Sequence, residues 1–153
     1  IAIENIRRAA AGKGVAPERI LFAPIAPLSD HLARFALADL FLDTFPVNAH
    51  TTASDALWVG VPIVTYAGET FVSRVAGSLL HAVGLPELIT TSLEEYEGLA
   101  LRLAQDRDTL RRLRAHLDSQ RNTVALFDSE RFTRDLEAAY TWMLNQAACS
   151  IKE

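Results

Sequence analysis

Residues 40–66 read LFLDTFPVNAHTTASDALWVGVPIVTY. The stretch opens on the apolar triplet Leu40–Leu42, which predicts a strand stopped by Asp43. Thr44 to Thr52 are polar and turn-forming residues and predict a loop. Helical residues follow from Ala53 to Val59, and Gly60 stands where a glycine closes a helix. Pro62 to Tyr66 then predicts a second strand. A strand, a helix and a strand in this order form a crossover unit, which makes the two strands parallel and right-handed in their connection.

The alternation extends in both directions. Upstream, Ile3–Lys13 has helical composition, with Gly12, Gly14 and Pro17 ending it. Arg19–Phe22 (RILF) predicts a strand, and Pro24 and Pro27 bracket the loop after it. A helix then runs to Ala38, with Ser29 as its expected cap and Asp30 in its first turn. Downstream, Ala67–Thr70 is a loop, Phe71–Val83 a helix closed by Gly84, and Glu87–Thr90 a short strand. Ser92-Leu-Glu-Glu95 has the S-x-x-E pattern that opens a helix, here to about Gln105. Two more helices are expected over Asp106–Gln120 and from Ser129 to about Ala147. The fold class is therefore α/β: a doubly wound, Rossmann-like parallel sheet with helices on both faces.

Composition narrows the function. The chain has 153 residues, half of them apolar, and a net charge of −4. That length suits one domain or one half of a two-domain enzyme. The charge offers no footprint for nucleic acid or an anionic membrane. The uncharged middle stretch Ala56–Gly68 is shorter than the ~20 residues of a membrane span. A single cysteine, Cys149, excludes a disulfide scaffold and a cysteine-built zinc site, and fits a reducing, cytoplasmic compartment. The arginines at 107, 111, 112 and 114 are interleaved with acids and read as solvated surface. The only methionine is Met143, so the chain reads as a piece of a longer protein.

Ligands of an open parallel sheet bind beyond the carboxyl ends of its strands. The loop Asp43–Thr52 lies there and is the richest in polar groups. His50, Thr51 and Thr52 stand at the start of a helix, where free N–H groups and two hydroxyls can hold an anion. Asp55, one turn further on, can accept from a sugar hydroxyl beside that anion. The same residues also fit a plain cap and a charge complementing the helix dipole. His31 and Arg34, three apart, share a helix face suited to a planar ligand, or form an exposed surface pair. His81 and His116 lie inside helices and read as structural. Neither G-x-G-x-x-G nor G-x-x-x-x-G-K-[ST] is present, which disfavours a classical dinucleotide dehydrogenase and a P-loop NTPase. No G-x-S-x-G elbow or metal-ligand cluster occurs, and Asp43 lacks the acidic pair of a receiver domain.

The run Leu42–Pro62, with Gly68-Glu-Thr-Phe-Val-Ser-Arg-Val-Ala76, closely resembles the C-terminal catalytic half of the O-linked N-acetylglucosamine transferase family. These are GT-B glycosyltransferases with N-terminal tetratricopeptide repeats, and SPINDLY-type fucosyltransferases are close relatives. Arg19–Pro27 and the helix at Glu95-Tyr96 fit the same pattern, so the resemblance covers roughly Pro17 to Trp142. It implies transfer of N-acetylglucosamine from UDP-N-acetylglucosamine to serine and threonine hydroxyls of proteins, inverting and metal-independent, with no cofactor. On this resemblance, residues 1–153 form a single nucleotide-sugar-binding domain. His50, Thr51 and Thr52 match the diphosphate-binding H-T-T, and Asp55 the acid that holds the ribose. His31 matches the histidine on the uracil, Arg34 an arginine beside it, and Ala26 a position whose backbone meets the uracil edge. The protein acceptor and the general base belong to the N-terminal half, so this chain alone is expected to bind donor without turnover. Leu28 replaces a lysine of the animal enzymes, and Ala49 a glycine that matters only if its φ is positive. Another donor or acceptor, such as GDP-fucose or asparagine, and a non-catalytic docking module stand as alternatives. Helix 129–147 is expected either to cross back to the N-terminal half or to pack on this domain's own core. An exposed apolar face there would favour a homodimer.

Overall fold

The structure is a computed structural model that describes residues 1–150, with side chains described for residues 1–146. The expected Cys149 side chain lies outside the described residues. The chain divides into two compact units, Ile1–His31 and Leu32–Glu153.

The first unit carries helix α1 (Ala2–Gly12) and a 3-10 turn at Pro17–Arg19. Gly14, at φ +78°, lets Val15 donate back to the Ala10 carbonyl at 3.0 Å and closes the helix. The guanidinium of Arg7 sits 5.4 Å from the centre of the Phe22 ring. The strand expected at Arg19–Phe22 is not formed. Arg19 ends the 3-10 turn, residues 20–22 carry no regular structure, and Leu21 is 88% exposed. An apolar run of four residues has strand propensity, but a strand exists only through a paired neighbour. Helix α2 (Leu28–Phe35) spans the boundary of the two units. It begins one residue before the expected cap Ser29, with His31 N–H bonded to the Pro27 carbonyl at 2.9 Å.

The second unit holds a three-stranded sheet in the order β1 (Phe41–Leu42), β2 (Ile63–Tyr66), β3 (Ile89–Thr90). Both pairings are parallel, with Phe41 opposite Ile63 and Thr65 opposite Ile89. Between them run α3 (Thr51–Trp58) and α4 (Val75–Ala82), followed by α5 (Leu93–Gln105), α6 (Arg107–Gln120) and α7 (Ser129–Ser150). Ile63, Val64 and Thr65 are all fully buried. Alternate side chains of a strand face opposite sides, so β2 is covered on both faces, as a doubly wound sheet requires. α3 and α4 pack on each other and on β2, while α5 packs on β2 and β3 and carries α6. Leu57, Leu80, Leu88, Leu110, Leu113 and Leu117 fill the core from these helices and the β3 turn.

Local chemistry explains the boundaries. The helix expected over Phe71–Val83 is split: a 3-10 turn covers Phe71–Ser73, and α4 starts only at Val75. The Ser73 hydroxyl folds back onto the Thr70 carbonyl at 2.9 Å and receives the Thr70 N–H at 3.1 Å, which fixes a tight turn there. Gly68 is required beside it, because a Cβ would come within 2.6 Å of the Ser73 hydroxyl oxygen. α5 opens as its S-x-x-E pattern predicts. Ser92 Oγ accepts the Glu95 N–H at 3.1 Å, while the Glu95 carboxylate reaches Thr91 rather than Ser92. The described side chains of α7, residues 129–146, are exposed all round, so this helix does not pack on the unit's own core. None of the helices is long and apolar enough to cross a membrane among the described residues.

Candidate functional site

The loop after β1 is organised by two buried polar residues. Asp43, 3% exposed, ends the strand, and its own N–H still joins the ladder to Val64 at 3.0 Å. Its Oδ1 accepts from the N–H of Thr44 at 2.9 Å and of Ala49 at 2.7 Å, and its Oδ2 from the Thr65 hydroxyl at 2.7 Å. Asn48, 4% exposed, donates from Nδ2 to the Thr44 carbonyl at 3.0 Å and from its backbone N–H to the Val72 carbonyl at 2.9 Å. Its Oδ1 is buried and unpartnered. Thr44 spans the turn by donating from its hydroxyl to the Val47 carbonyl at 2.7 Å. The Phe45 ring closes over this end of the sheet, edge-on to Tyr66 at 5.7 Å and to Tyr96 at 6.5 Å. Burial, and then the Asp43 charge, hold the Tyr96 phenol above its ordinary value.

The loop delivers the chain to the start of α3. His50 is the N-cap residue, and no side chain caps the helix. Thr51 and Thr52 are its first two helical residues, so neither serves as its cap. The first helical bond runs from Ser54 N–H to the His50 carbonyl at 3.1 Å. The N–H groups of Thr51, Thr52 and Ala53 therefore have no intrahelical acceptor and point out of the helix start. His50, Thr51 and Thr52 are exposed, and Asp55 is half-buried one turn later. The exposed Phe71 ring lies edge-on to the His50 imidazole, with centroids 6.3 Å apart. Such an end, with open amides, two hydroxyls and an imidazole, is chemically an anion receptor. Ala49, where the expected pattern has glycine, has a negative φ, since no non-glycine residue among the described residues is in the left-handed region.

α3 thus gathers His50, Thr51, Thr52 and Asp55. Arg34 stands on α2 in the same unit and is half-buried. The α2 end that carries it is pinned from α6: Arg114 donates to the carbonyls of Ala36 at 2.8 Å and Ala38 at 2.5 Å. Arg114 is therefore a buried-side structural group, not the solvated charge its neighbours suggest. His31, half-buried on α2, and Ala26, half-buried in the irregular segment before it, belong to the first unit. His116 bonds the Val83 carbonyl at 2.9 Å and is structural, as expected. A groove of about 1180 Å³ between the end of β1, α5 and α6 is lined by none of the expected site residues. Asp43 and Asn48 shape the loop yet read in sequence only as a strand stop and a turn residue. The one available signal was their placement at a strand's carboxyl end, where polar side chains belong to ligand loops.

The sequence model of glycosyl transferase family 41 matches residues 2–136. The chain belongs to that family. It is 45% identical over 142 residues to a probable UDP-N-acetylglucosamine--peptide N-acetylglucosaminyltransferase SEC from Arabidopsis thaliana, covering 92% of this chain and 14% of that protein. It is 42% identical over 134 residues to the UDP-N-acetylglucosamine--peptide N-acetylglucosaminyltransferase of Caenorhabditis elegans, covering 88% and 12%. Among solved structures it is similar to a K341M mutant of Thermobaculum terrenum O-GlcNAc transferase, with a TM-score of 0.87 and 40% identity over 97% of this chain and 28% of that one. The chain is mixed α/β with a parallel sheet and matches part of that enzyme, a GT-B glycosyltransferase, and it spans about a seventh of the length of its curated relatives.

Proposed function

We propose that this chain is the donor-nucleotide-binding half of a protein O-glycosyltransferase that moves N-acetylglucosamine from UDP-N-acetylglucosamine to serine and threonine hydroxyls. The observation that carries the reading is the start of α3. There a helix end without a side-chain cap leaves its first amides without intrahelical acceptors, beside exposed His50, Thr51 and Thr52, in a chain of family 41.

The chemistry follows from that geometry. An acceptor hydroxyl oxygen attacks the anomeric carbon from the face opposite the diphosphate, and the bond from that carbon to the β-phosphate oxygen breaks, with inversion. The hydroxyl proton goes to a base supplied by the protein outside this chain. Negative charge grows on the departing diphosphate. The α3 amides, the two threonine hydroxyls and His50 donate to it, and their dipoles are already oriented before the bond breaks. The stabilisation is electrostatic and the reading requires no metal ion and no cofactor. Within the second unit, Asp55 accepts from the ribose hydroxyls and Arg34 serves the base; for the first unit, the family resemblance assigns His31 and the Ala26 backbone to base recognition.

Leu28 supports a second reading in which the donor is another nucleotide sugar, such as GDP-fucose. It is 66% exposed at the start of α2 and offers no cation to a ribose. One titration separates the readings. The full-length protein is expected to bind UDP saturably and more tightly than GDP. His50→Ala should weaken UDP by about tenfold or more, the scale of a lost hydrogen bond to a charged group. Preference for GDP would move the donor assignment to the second reading. Failure of the full-length protein to bind either nucleotide would overturn the donor site and leave a docking module.

A further inference from the structure

Asp43 is a buried carboxylate to which the proposed chemistry assigns no part. A charge out of water is tolerated only when its oxygens are hydrogen-bonded, and replacing such a group with apolar packing is often neutral or stabilising. Stability alone is therefore a weak reason to keep it. What its two oxygens hold is more specific. Oδ1 takes the N–H of Thr44 and the N–H of Ala49, the first and last residues of the loop between β1 and His50. Oδ2 takes the hydroxyl of Thr65 on the central strand. One side chain thus clamps both ends of the loop and ties them to β2. Ala49 directly precedes His50, the cap residue of α3, whose carbonyl accepts the first helical bond. The atom that holds the Ala49 amide therefore sets where the free amides of Thr51, Thr52 and Ala53 begin.

We infer that Asp43 is a positioning residue: through Ala49 it holds His50 and the open α3 amides in register for a bound diphosphate. This rests on the donor-site reading above. The clamp works by geometry, because a negative charge near a diphosphate opposes binding by itself. The position needs an acceptor oxygen at Oδ1 more than it needs the charge.

The test measures the UDP dissociation constant of the full-length protein well below its melting temperature. Asp43→Ala should weaken UDP by about tenfold, as a misplaced set of charge-assisted donors does. Asp43→Asn keeps an oxygen for both amides and should restore binding to within about threefold of wild type. The Asp43→Ala loss should shrink in a His50→Ala background, which keeps only the part carried by the α3 amides, because contacts that act together are not additive. A purely structural role would lower the melting temperature and leave the dissociation constant of the folded protein unchanged. An unchanged constant in Asp43→Ala, or losses that simply add to those of His50→Ala, would overturn the inference. If Asp43→Ala does not fold, Asp43→Ser, whose side chain is too short to hold both amides, reads the same clamp, and wild-type UDP affinity in it would overturn the inference. If the wild type fails to bind UDP, the donor-site reading falls and takes this inference with it. Binding that is sensitive to His50→Ala but indifferent to Asp43→Ala removes the positioning role alone.

Discussion

The phenol of Tyr96 donates to the main-chain carbonyl of Asp43 at 2.9 Å, across 53 residues of sequence. It ties the first turn and a half of α5 to the end of β1, at the root of the loop that leads to α3. Tyr96→Phe keeps the ring and its edge contact with Phe45 but removes this bond. We expect a loss of about 1 kcal/mol, read as a lower denaturation midpoint with unchanged slope. The pH dependence has a defined sign. The folded phenol is held above its ordinary 10.0, chiefly by burial and then by Asp43. Its contribution is fully present below that value and is lost as pH rises through the folded value. Tyr96→Phe should therefore flatten the alkaline limb of the stability curve.

Arg114 gives a prediction about α2. Its guanidinium holds the carbonyls of Ala36 and Ala38, the end of the segment that carries Arg34. Arg114→Ala leaves those carbonyls without their charged donor and should cost about 2 kcal/mol. Arg114→Lys can reach one carbonyl but not both in fork geometry, and should recover only part of the loss. Hydrogen exchange should show faster opening at residues 32–38 in Arg114→Ala than at β2. Equal acceleration at both would mean that the guanidinium does not act locally.

How far sequence alone reached is clearest at these positions. The crossover 40–66 was legible because its apolar runs, its helical stretch and Gly60 all agree with one another. The α5 and α6 starts were legible because Ser92 and Asp106 cap them by contacts within three residues. Arg114 was misread because its partners lie 76 and 78 residues away, and local charge patterning carries nothing of that distance. The expected strand at Arg19–Phe22 failed for a related reason: apolar composition does not encode a pairing partner. The break at Arg74 depends on the Ser73 hydroxyl turning back onto Thr70, which a helix-forming composition hides. At the candidate site, His50 to Asp55 could be read from one helix start. The clamp at Asp43 needed the position of Thr65 on β2.

The helix starts of α5 and α6 predict an acid limb. Backbone and hydroxyl donors of Thr91 hold the Glu95 carboxyl below its ordinary 4.5. Those of Thr109 do the same for Asp106, below its ordinary 3.8. A lowered folded value means stability that is present above the ordinary value and lost as pH falls through the folded one. Thermal melts from about pH 5 down to about pH 2 should therefore fall less steeply for Glu95→Gln and Asp106→Asn than for wild type. A wild-type slope in both variants would show that these caps do not drive acid unfolding.

Gly60 should not accept a side chain, for two separable reasons. It closes α3 at φ +82°, with its N–H on the Leu57 carbonyl at 3.2 Å and the Val61 N–H on the Ala56 carbonyl at 2.8 Å. An L-residue in that conformation costs roughly 1 kcal/mol. A Cβ there would also meet Asp118 Oδ1 at 2.8 Å. That oxygen accepts from Arg121 at 2.6 Å, and the Arg121 guanidinium lies 5.5 Å from the Trp58 ring centre. Displacing Asp118 therefore disturbs a contact that braces the end of α3. Gly60→Ala should cost roughly 1–2 kcal/mol in all, mostly from the backbone, with a smaller part from the exposed Asp118 carboxylate that must shift. In an Asp118→Ala background the same substitution should cost only the backbone part, and Gly60→Asn, which tolerates the left-handed region, less still. If Gly60→Ala costs the same with and without Asp118, the steric part is absent and the backbone alone demands glycine.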